Sequence, residues 1–158
     1  MDPVAVFADP LAPEAPVRID RLVVPAWSRT EWQRAFRQGV HRSLTASEVL
    51  IESGARDRSL HFVVSGDFEV GIAYVDGMSM STVAQINAGT VIGEQSFFDG
   101  HPRSANVWAV SEGEVLTLPF EAFERLAADE PALARDLTFA LARVLSLRLR
   151  NTTVRVRR

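Results

Sequence analysis

The sequence between Val40 and about Leu118 is organised in short runs rich in β-branched and aromatic residues. Turn-forming pairs that contain glycine separate many of these runs, as is typical of strands joined by tight connections. The runs are Glu48–Glu52, Leu60–Val64, Phe68–Tyr74, Thr82–Ile86, Ala105–Val110 and Glu114–Leu118. The turns are Ser53-Gly54, Ser65-Gly66, Asp76-Gly77, Ala88-Gly89 and Glu112-Gly113. This pattern predicts an antiparallel sandwich or jelly roll rather than a parallel sheet.

A helical pattern precedes the strand-like stretch. Ser28 is a suitable N-cap for a helix over residues 29–38. Trp32, Ala35 and Phe36 recur at i, i+3, i+4 spacing and share one face of that helix. We therefore expect one amphipathic helix directly before a β-roll over residues 40–118.

Helical periodicity returns after Pro119, over residues 120–151. A break at residues 129–131 divides this region into a short helix and a long one, and Pro131 suits the first turn of the second helix. The long helix carries a continuous apolar stripe made of Leu133, Leu137, Ala140, Leu141, Val144, Leu145 and Leu149. The expected fold class is mainly β with flanking helices.

Residues 1–27 differ in composition from the rest of the chain, with many proline and alanine residues at the start. Proline lacks the N–H that helices and sheets use, so we expect a flexible or loosely docked arm ahead of a single folded domain over residues 28–158. Asp2 stands where a secretion signal would carry positive charge, and prolines interrupt every apolar run. We expect no secretion signal and a cytoplasmic protein.

Composition narrows the classes of function. The chain has 158 residues, 47% of them hydrophobic, which is enough for one domain with a buried core. It has no cysteine, so disulfides and thiolate chemistry are excluded. The net charge of -3 argues against a globally basic surface for nucleic acid. No apolar run approaches the ~20 residues that a membrane span needs.

The most informative segment is Gly93-Glu94-Gln95-Ser96-Phe97-Phe98-Asp99-Gly100-His101-Pro102-Arg103-Ser104-Ala105. It resembles the phosphate-binding cassette of the cyclic nucleotide-binding domain family, of the catabolite activator and protein kinase A regulatory subunit type. The segments at 62–70 and 86–92 match the strands and glycine turns that precede the cassette in that family. The resemblance covers about residues 40–150 and implies a jelly-roll β-barrel with an N-terminal helix and two C-terminal helices.

A cyclic nucleotide offers one phosphate charge, a ribose 2′-hydroxyl and a flat purine, so its site needs a cation, an acceptor and an apolar slot. The resemblance assigns Arg103 to the phosphate, for which a guanidinium can donate paired hydrogen bonds. Glu94 is placed to accept from the 2′-hydroxyl, and Gly93 permits close backbone approach. Backbone N–H groups of the cassette would cradle the phosphate. The remaining candidates are Gln95, Ser96, Ser104 and Ala105 in the cassette, Val70, Ile72 and Ile92 in the apolar slot, and Arg148 or Arg150.

Two alternative interpretations of the cassette stay open at this point. Arg103 and Glu94 could form an ion pair with each other in a surface loop. Phe97 and Phe98 are better suited to the core than to ligand contact, and in the family this apolar step couples the cassette to the following helices.

The end of the last helix is rich in arginine. From Val144 onwards there are five arginines and no acidic residue: Arg148, Arg150, Arg155, Arg157 and Arg158. They can complement the helix dipole in solvent, bind nucleic acid, lipid or an acidic partner, or place Arg148 or Arg150 over the purine as the helix closes like a lid. The apolar stripe can form a homodimer seam, or the helix can fold back in a monomer.

Several positions bear on ligand choice. Ser104 is neither the alanine of protein-kinase-A-type sites nor the threonine associated with cyclic GMP, and we favour cAMP over cGMP. The Thr-Ser pair that catabolite activators use against adenine is not evident at the equivalent helix position, because Thr152-Thr153 lies a turn later. Ser47 stands where the family often has glycine.

The sequence therefore predicts a cyclic nucleotide sensor or regulatory module that signals to an unidentified protein partner by rearrangement of its C-terminal helices. An enzyme is not expected, because His41, His61 and His101 are scattered and lack metal-ligand spacing. No cofactor beyond the nucleotide and no sequence-specific DNA binding are expected. The alternatives are a degenerate roll acting as a ligand-free scaffold and a fragment of a transcription regulator.

Overall fold

The structure is a computed structural model that describes residues 1–15, 18–73 and 80–156. Its helices are α1 (Pro3–Ala8), α2 (Arg29–Phe36), α3 (Glu94–Asp99), α4 (Phe120–Asp129) and α5 (Pro131–Val156). Its strands are β1 (Val40–Leu44), β2 (Val49–Ile51), β3 (Leu60–Ser65), β4 (Phe68–Ala73), β5 (Met80–Ile86), β6 (Val91–Ile92), β7 (Asn106–Ala109) and β8 (Gly113–Leu118). The predicted strand end at Tyr74 and the predicted Asp76-Gly77 turn lie outside the described residues.

Two four-stranded antiparallel sheets face each other, in the orders β1-β8-β3-β6 and β2-β7-β4-β5. Apolar side chains from both sheets, including Val63, Phe68 and Val115, fill the space between them. The predicted jelly roll with flanking helices is confirmed. The runs predicted from the sequence do not include β1, in which only Leu44 is buried, or β6, which has just two residues.

A second core lies between the outer face of the first sheet and the helices. Leu137, Leu141 and Val144 of α5 are buried in it, so the first half of the predicted stripe packs against the roll. Leu149, at the end of the predicted apolar stripe, is 67% exposed and does not pack against the roll. At 3.6 residues per turn, a position twelve residues after Leu137 has rotated by about 120° from the buried face.

The N-terminal segment is folded where the sequence predicts a flexible arm. The carboxylate of Asp2 accepts a hydrogen bond from the N–H of Val4 at 3.0 Å and caps α1. Pro3 occupies the first turn, where its missing N–H costs nothing. Phe7 is 6% exposed and packs edge-on against Phe36 and Phe62. The prediction of an arm over residues 1–27 was wrong at α1, because proline content does not exclude a helix that starts at proline.

The buried position of Phe7 gives a stability prediction. Phe7→Ala should lower the free energy of unfolding by about 3 kcal/mol, because it removes a buried ring and leaves a cavity. Urea unfolding followed by tryptophan fluorescence measures this, with Leu11→Ala, at a site 40% exposed, as the control. Equal effects of the two substitutions would show that α1 does not pack on the roll in solution.

Ser47 adopts a φ of 72°, in the left-handed region that favours glycine. The turn is held together by Glu48, whose carboxylate accepts from the N–H of Thr45 at 3.0 Å. The N–H of Ser47 itself donates to the carbonyl of Ala109 at 2.7 Å. This turn therefore keeps the backbone geometry of a glycine turn with a serine side chain.

Candidate functional site

A cavity of about 390 Å³ lies between the second sheet, the cassette and α5. Ten of the eleven site residues predicted from the sequence line it: Val70, Ile92, Gly93, Glu94, Gln95, Ser96, Arg103, Ser104, Ala105 and Arg148. Ile72, the third apolar candidate beside Val70 and Ile92, lines it as well. Arg150 is exposed and does not line the cavity, because residues two apart on a helix point to opposite sides.

The cassette is built around α3, which begins directly after Gly93 and ends at Gly100. Gly93 has a φ of 95°, a backbone conformation that residues other than glycine rarely adopt. A Cβ at this position would lie 2.6 Å from Nη1 of Arg103 and 2.8 Å from the carbonyl oxygen of Ser59. The glycine thus lets the backbone approach the arginine side chain.

A substitution at Gly93 should damage this arrangement. We expect Gly93→Ala to displace the Arg103 guanidinium and to lower nucleotide affinity by at least about tenfold, since a charge-assisted contact is worth more than about 1.4 kcal/mol. Gly54→Ala is the matched control: Gly54 also has a positive φ, of 87°, but a Cβ added there would meet nothing within 4 Å. Calorimetric titration of both variants tests this, and equal affinities would contradict it.

Arg103 is 5% exposed and makes three hydrogen bonds. Nη1 donates to the carbonyl of Gly93 at 2.9 Å, and Nη2 donates to Oδ2 of Asp57 at 2.7 Å and to the carbonyl of Ser59 at 2.6 Å. Burial by itself would raise the pKa of Asp57, but hydrogen bonds from Ser59 and Arg103 outweigh it and lower that pKa to about 2. Asp57 therefore stays ionised and holds the guanidinium at the cavity wall.

The Nε–H of Arg103 lacks an acceptor in the protein within the described ranges of the chain. The Nε atom itself is buried. A buried donor without an acceptor is costly and calls for a partner such as water or an anion. The arginine is thus fixed on one side by protein and presents an unsatisfied N–H in the interior.

Arg103 and Glu94 do not pair with each other, so the alternative of a simple surface ion pair was wrong. Glu94 is 6% exposed, and its Oε2 lies 2.9 Å from Nη1 of Arg148 on α5. Each of the two cassette residues belongs to a separate network: Arg103 is held by the segment before β3, and Glu94 is held by the last helix.

Arg148 connects α5 to the rest of the site. Besides Glu94 it contacts Oδ2 of Asp20 through Nε at 3.0 Å and the carbonyl of Val91 through Nη2 at 2.9 Å. Burial works against its charge, but Glu94 and Asp20 more than compensate and raise the pKa of Arg148. The sequence patterns do not reveal Arg18 and Asp20, which also line the cavity, because these residues lie in the segment expected to be an arm.

The α5 end of the cavity is polar. Asn151 and Thr152 line it, and the hydroxyl of Thr152 donates to the carbonyl of Arg148 at 3.1 Å. The Thr152-Thr153 pair lies a turn later than the Thr-Ser pair of catabolite activators, yet Thr152 reaches the cavity. The i, i+4 spacing between Arg148 and Thr152 is the signal that places both on one face of the helix.

The cassette packs against α4 through aromatic side chains. The ring of Phe97 lies edge-on to Phe98 and Phe123, with centroid distances of 5.3 and 4.9 Å. Arg58 stacks on the ring of Phe120 at 3.7 Å and donates to the carbonyls of Ser96 and Phe97. Phe97 is 3% exposed, so it is part of the core, as predicted.

Within the described residues no group of histidine, aspartate and glutamate side chains is arranged to hold a metal ion. The described helices also include none that is long and apolar enough to cross a membrane.

The fold and the cavity together have the features of a module for a small anionic ligand. A family model described as the cyclic nucleotide-binding domain matches residues 41–130. The chain belongs to this family of regulatory domains.

Curated relatives are regulators of transcription. The cAMP-activated global transcriptional regulator CRP of Salmonella typhimurium is 30% identical over 103 residues, which cover 65% of this chain and 49% of that protein. The CRP-like cAMP-activated regulator of Mycobacterium tuberculosis is 29% identical over 104 residues, covering 66% of this chain and 44% of that protein. The chain spans about half the length of these relatives.

Solved structures share the fold. A cyclic nucleotide-binding domain from Methylobacillus flagellatus has a TM-score of 0.76 at 25% identity, with 82% of this chain and 72% of that chain covered. The catabolite activator protein of Thermus thermophilus has a TM-score of 0.70 at 24% identity, with 98% of this chain and 62% of that chain covered.

Proposed function

We propose that this chain is a sensor of cyclic purine nucleotides, with cAMP as the favoured ligand, and that it regulates a partner without chemistry of its own. The observation that carries the proposal is that Arg103 and Glu94 line one cavity, each buried and each paired with a different partner. This separation leaves a cation for a phosphate and a carboxylate for a hydroxyl group in the same cavity.

The ligand's parts match the groups of the cavity. The cyclic phosphate lies against Arg103 and the N–H groups of the cassette, which supply the positive potential that an anion needs. Glu94 accepts from the ribose 2′-hydroxyl. The purine lies against Val70 and Ile72 of β4, with Thr152 at the polar end.

The preference for cAMP is a finer part of the proposal. Ser104 lines the cavity in place of the threonine associated with cyclic GMP, and its hydroxyl donates to Gln95 at 2.9 Å. Asn151 and Thr152 offer oxygen acceptors for the exocyclic amine of adenine. The two curated relatives, at 29% and 30% identity, are named as cAMP-activated.

The output is a change in the position of α5. This helix supplies Arg148 and Thr152 to the cavity wall, so a ligand that contacts them has a different affinity for each position of the helix. The signal passes to a protein partner that the sequence does not identify. A ligand-free scaffold, the alternative function, has no reason to keep a buried Arg103 with an unsatisfied donor.

A homodimer through the last helix is part of the same proposal. Phe139 and Leu149 are 74% and 67% exposed, and the small residues Ala142 and Ser146 lie between them at heptad spacing. An exposed stripe of this kind fits a second copy of the helix. Sedimentation equilibrium with and without cAMP measures it, and a monomer at all protein concentrations would contradict it.

A second candidate function is the ligand-binding part of a transcription regulator, which the names of the curated relatives favour. Sequence-specific binding of DNA by this chain alone is still not expected. A gel-shift assay with the purified chain and a pool of random duplexes, with and without cAMP, would test this, and selective retention of one sequence would contradict it.

Calorimetric titration with cAMP, cGMP and 5′-AMP tests the proposed function. We expect saturable binding of cAMP with a Kd in the micromolar range, about -8 kcal/mol, and weaker binding of cGMP. The open-chain 5′-AMP carries an additional charge and should bind most weakly. If none of the three binds up to millimolar concentration, the sensor function is refuted and the scaffold remains.

A further inference from the structure

The segment that precedes α2 reaches the ligand cavity. Leu22 is fully buried, and its N–H donates to the carbonyl of Gly89 at 3.0 Å, which anchors the segment on the roll. Two residues earlier, Asp20 is 7% exposed and lines the cavity. An acidic side chain is thus buried at the edge of a site proposed for an anionic ligand. A buried charge of this kind requires a partner of opposite charge.

Asp20 is held between two arginines. Arg18 donates through Nε to Oδ1 at 3.0 Å, and Arg148 donates through Nε to Oδ2 at 3.0 Å. Burial by itself would raise the pKa of Asp20, but the two arginines lower it. The carboxylate is therefore ionised and its position is defined from both sides.

All three nitrogens of the Arg148 guanidinium have acceptors. Nε contacts Asp20, Nη1 contacts Glu94 at 2.9 Å and Nη2 contacts the carbonyl of Val91. Because the guanidinium is planar, fixing Nε and Nη2 sets the direction in which Nη1 points. Loss of the Asp20 contact frees the plane to rotate and weakens its control over Glu94.

We infer that Asp20 is a positioning residue of the nucleotide site, which acts through Arg148 to hold Glu94 in place for the ribose 2′-hydroxyl. The inference rests on the proposed function and adds the N-terminal segment to the site. Asp20 itself does not have to touch the ligand. Its effect is confined to the part of the ligand that Glu94 contacts.

A positioning role for Asp20 can be distinguished from a structural role, because only the first depends on the 2′-hydroxyl that Glu94 contacts. Wild-type protein should bind cAMP more tightly than 2′-deoxy-cAMP by about tenfold or more, the value of a hydrogen bond to a charged acceptor. Asp20→Asn keeps the shape of the side chain but removes its charge. We expect this variant to bind cAMP about threefold more weakly or worse while 2′-deoxy-cAMP is little affected, so that the ratio of the two affinities falls from about tenfold to about threefold or less.

The matched control is Asp9→Asn. Asp9 belongs to the same N-terminal region and also pairs with an arginine, Arg29, at 2.6 Å, but its pair is exposed and lies outside the cavity. Asp9→Asn should leave the ratio of the affinities for cAMP and 2′-deoxy-cAMP unchanged. In a double-mutant cycle, Asp20→Asn should add little to Arg148→Gln, because Asp20 acts through Arg148.

The outcomes separate the two proposals. If wild-type protein binds neither nucleotide, the proposed function fails and this inference fails with it. If wild-type protein binds but Asp20→Asn keeps the wild-type ratio, or weakens both nucleotides equally, only the inference is overturned. Should Asp20→Asn fail to fold in a thermal unfolding scan, Asp20→Glu replaces it, which keeps the charge but shifts the carboxylate by one methylene, and the same fall in ratio is expected.

Discussion

Replacing Arg103 with lysine should lower the affinity for cAMP by about a hundredfold or more. The two terminal nitrogens of the guanidinium donate hydrogen bonds to Gly93, Asp57 and Ser59, and the buried Nε–H has no acceptor among the described residues. A single ammonium group cannot make these contacts and also reach a phosphate, and each lost charge-assisted hydrogen bond costs about 1.5–3 kcal/mol. Calorimetric titration with cAMP measures the loss.

The control for this experiment is Arg42→Lys. Arg42 lies on β1, where it pairs with Glu48 at 3.6 Å on the surface, away from the cavity. That substitution should leave the affinity unchanged. A folded Arg103→Lys protein with wild-type affinity would show that Arg103 serves the structure of the cassette alone.

The second large effect is a loss of stability in mild acid. His61 is 4% exposed, its Nδ1 lies 2.9 Å from the hydroxyl of Thr117, and its Nε2 is buried without a partner in the described part of the chain. Burial, and secondarily the positive charges of Arg103 and Arg42, lower the pKa of His61 to about 4, while Asp57 works in the opposite direction.

The direction of the pH effect follows from this lowered pKa. Between about pH 6.5 and pH 4 the unfolded chain binds a proton at His61 that the folded chain does not, so acid favours unfolding. The contribution of His61 to stability is complete above about pH 6.5 and should fall by about 3 kcal/mol as the pH approaches 4. Asp57 and Asp20, whose pKa values are lowered from the ordinary value of 3.8, stabilise the folded chain at neutral pH and lose that contribution mainly below this window.

Urea unfolding at a series of pH values between about 4 and 8 tests this prediction. His61→Gln should flatten the dependence on pH in that window. His41→Gln, at an exposed position on β1, should leave it as in the wild type. The prediction is wrong if His61→Gln retains the full slope.

Local patterns in the sequence predicted most of the architecture. The roll over residues 40–118, α2 and the break between α4 and α5 follow from the period of the apolar residues and from the turn formers between them. The cassette could be recognised because its residues lie within thirteen consecutive positions, 93–105. The error at α1 arose because local composition is a poor guide to a segment rich in proline and alanine.

By itself, then, the sequence determined six of the eight strands that the structure describes, the helices α2, α4 and α5, and the segment that carries Glu94 and Arg103, because each depends on the pattern of neighbouring residues. Only the tertiary structure decided what holds those two side chains. Asp57 meets Arg103 across 46 positions, and Asp20 meets Arg148 across 128. Such pairs depend on how sheets and helices pack. The periodic pattern of apolar residues shows which face of an element is buried, but not which distant charged residue lies beside a given side chain.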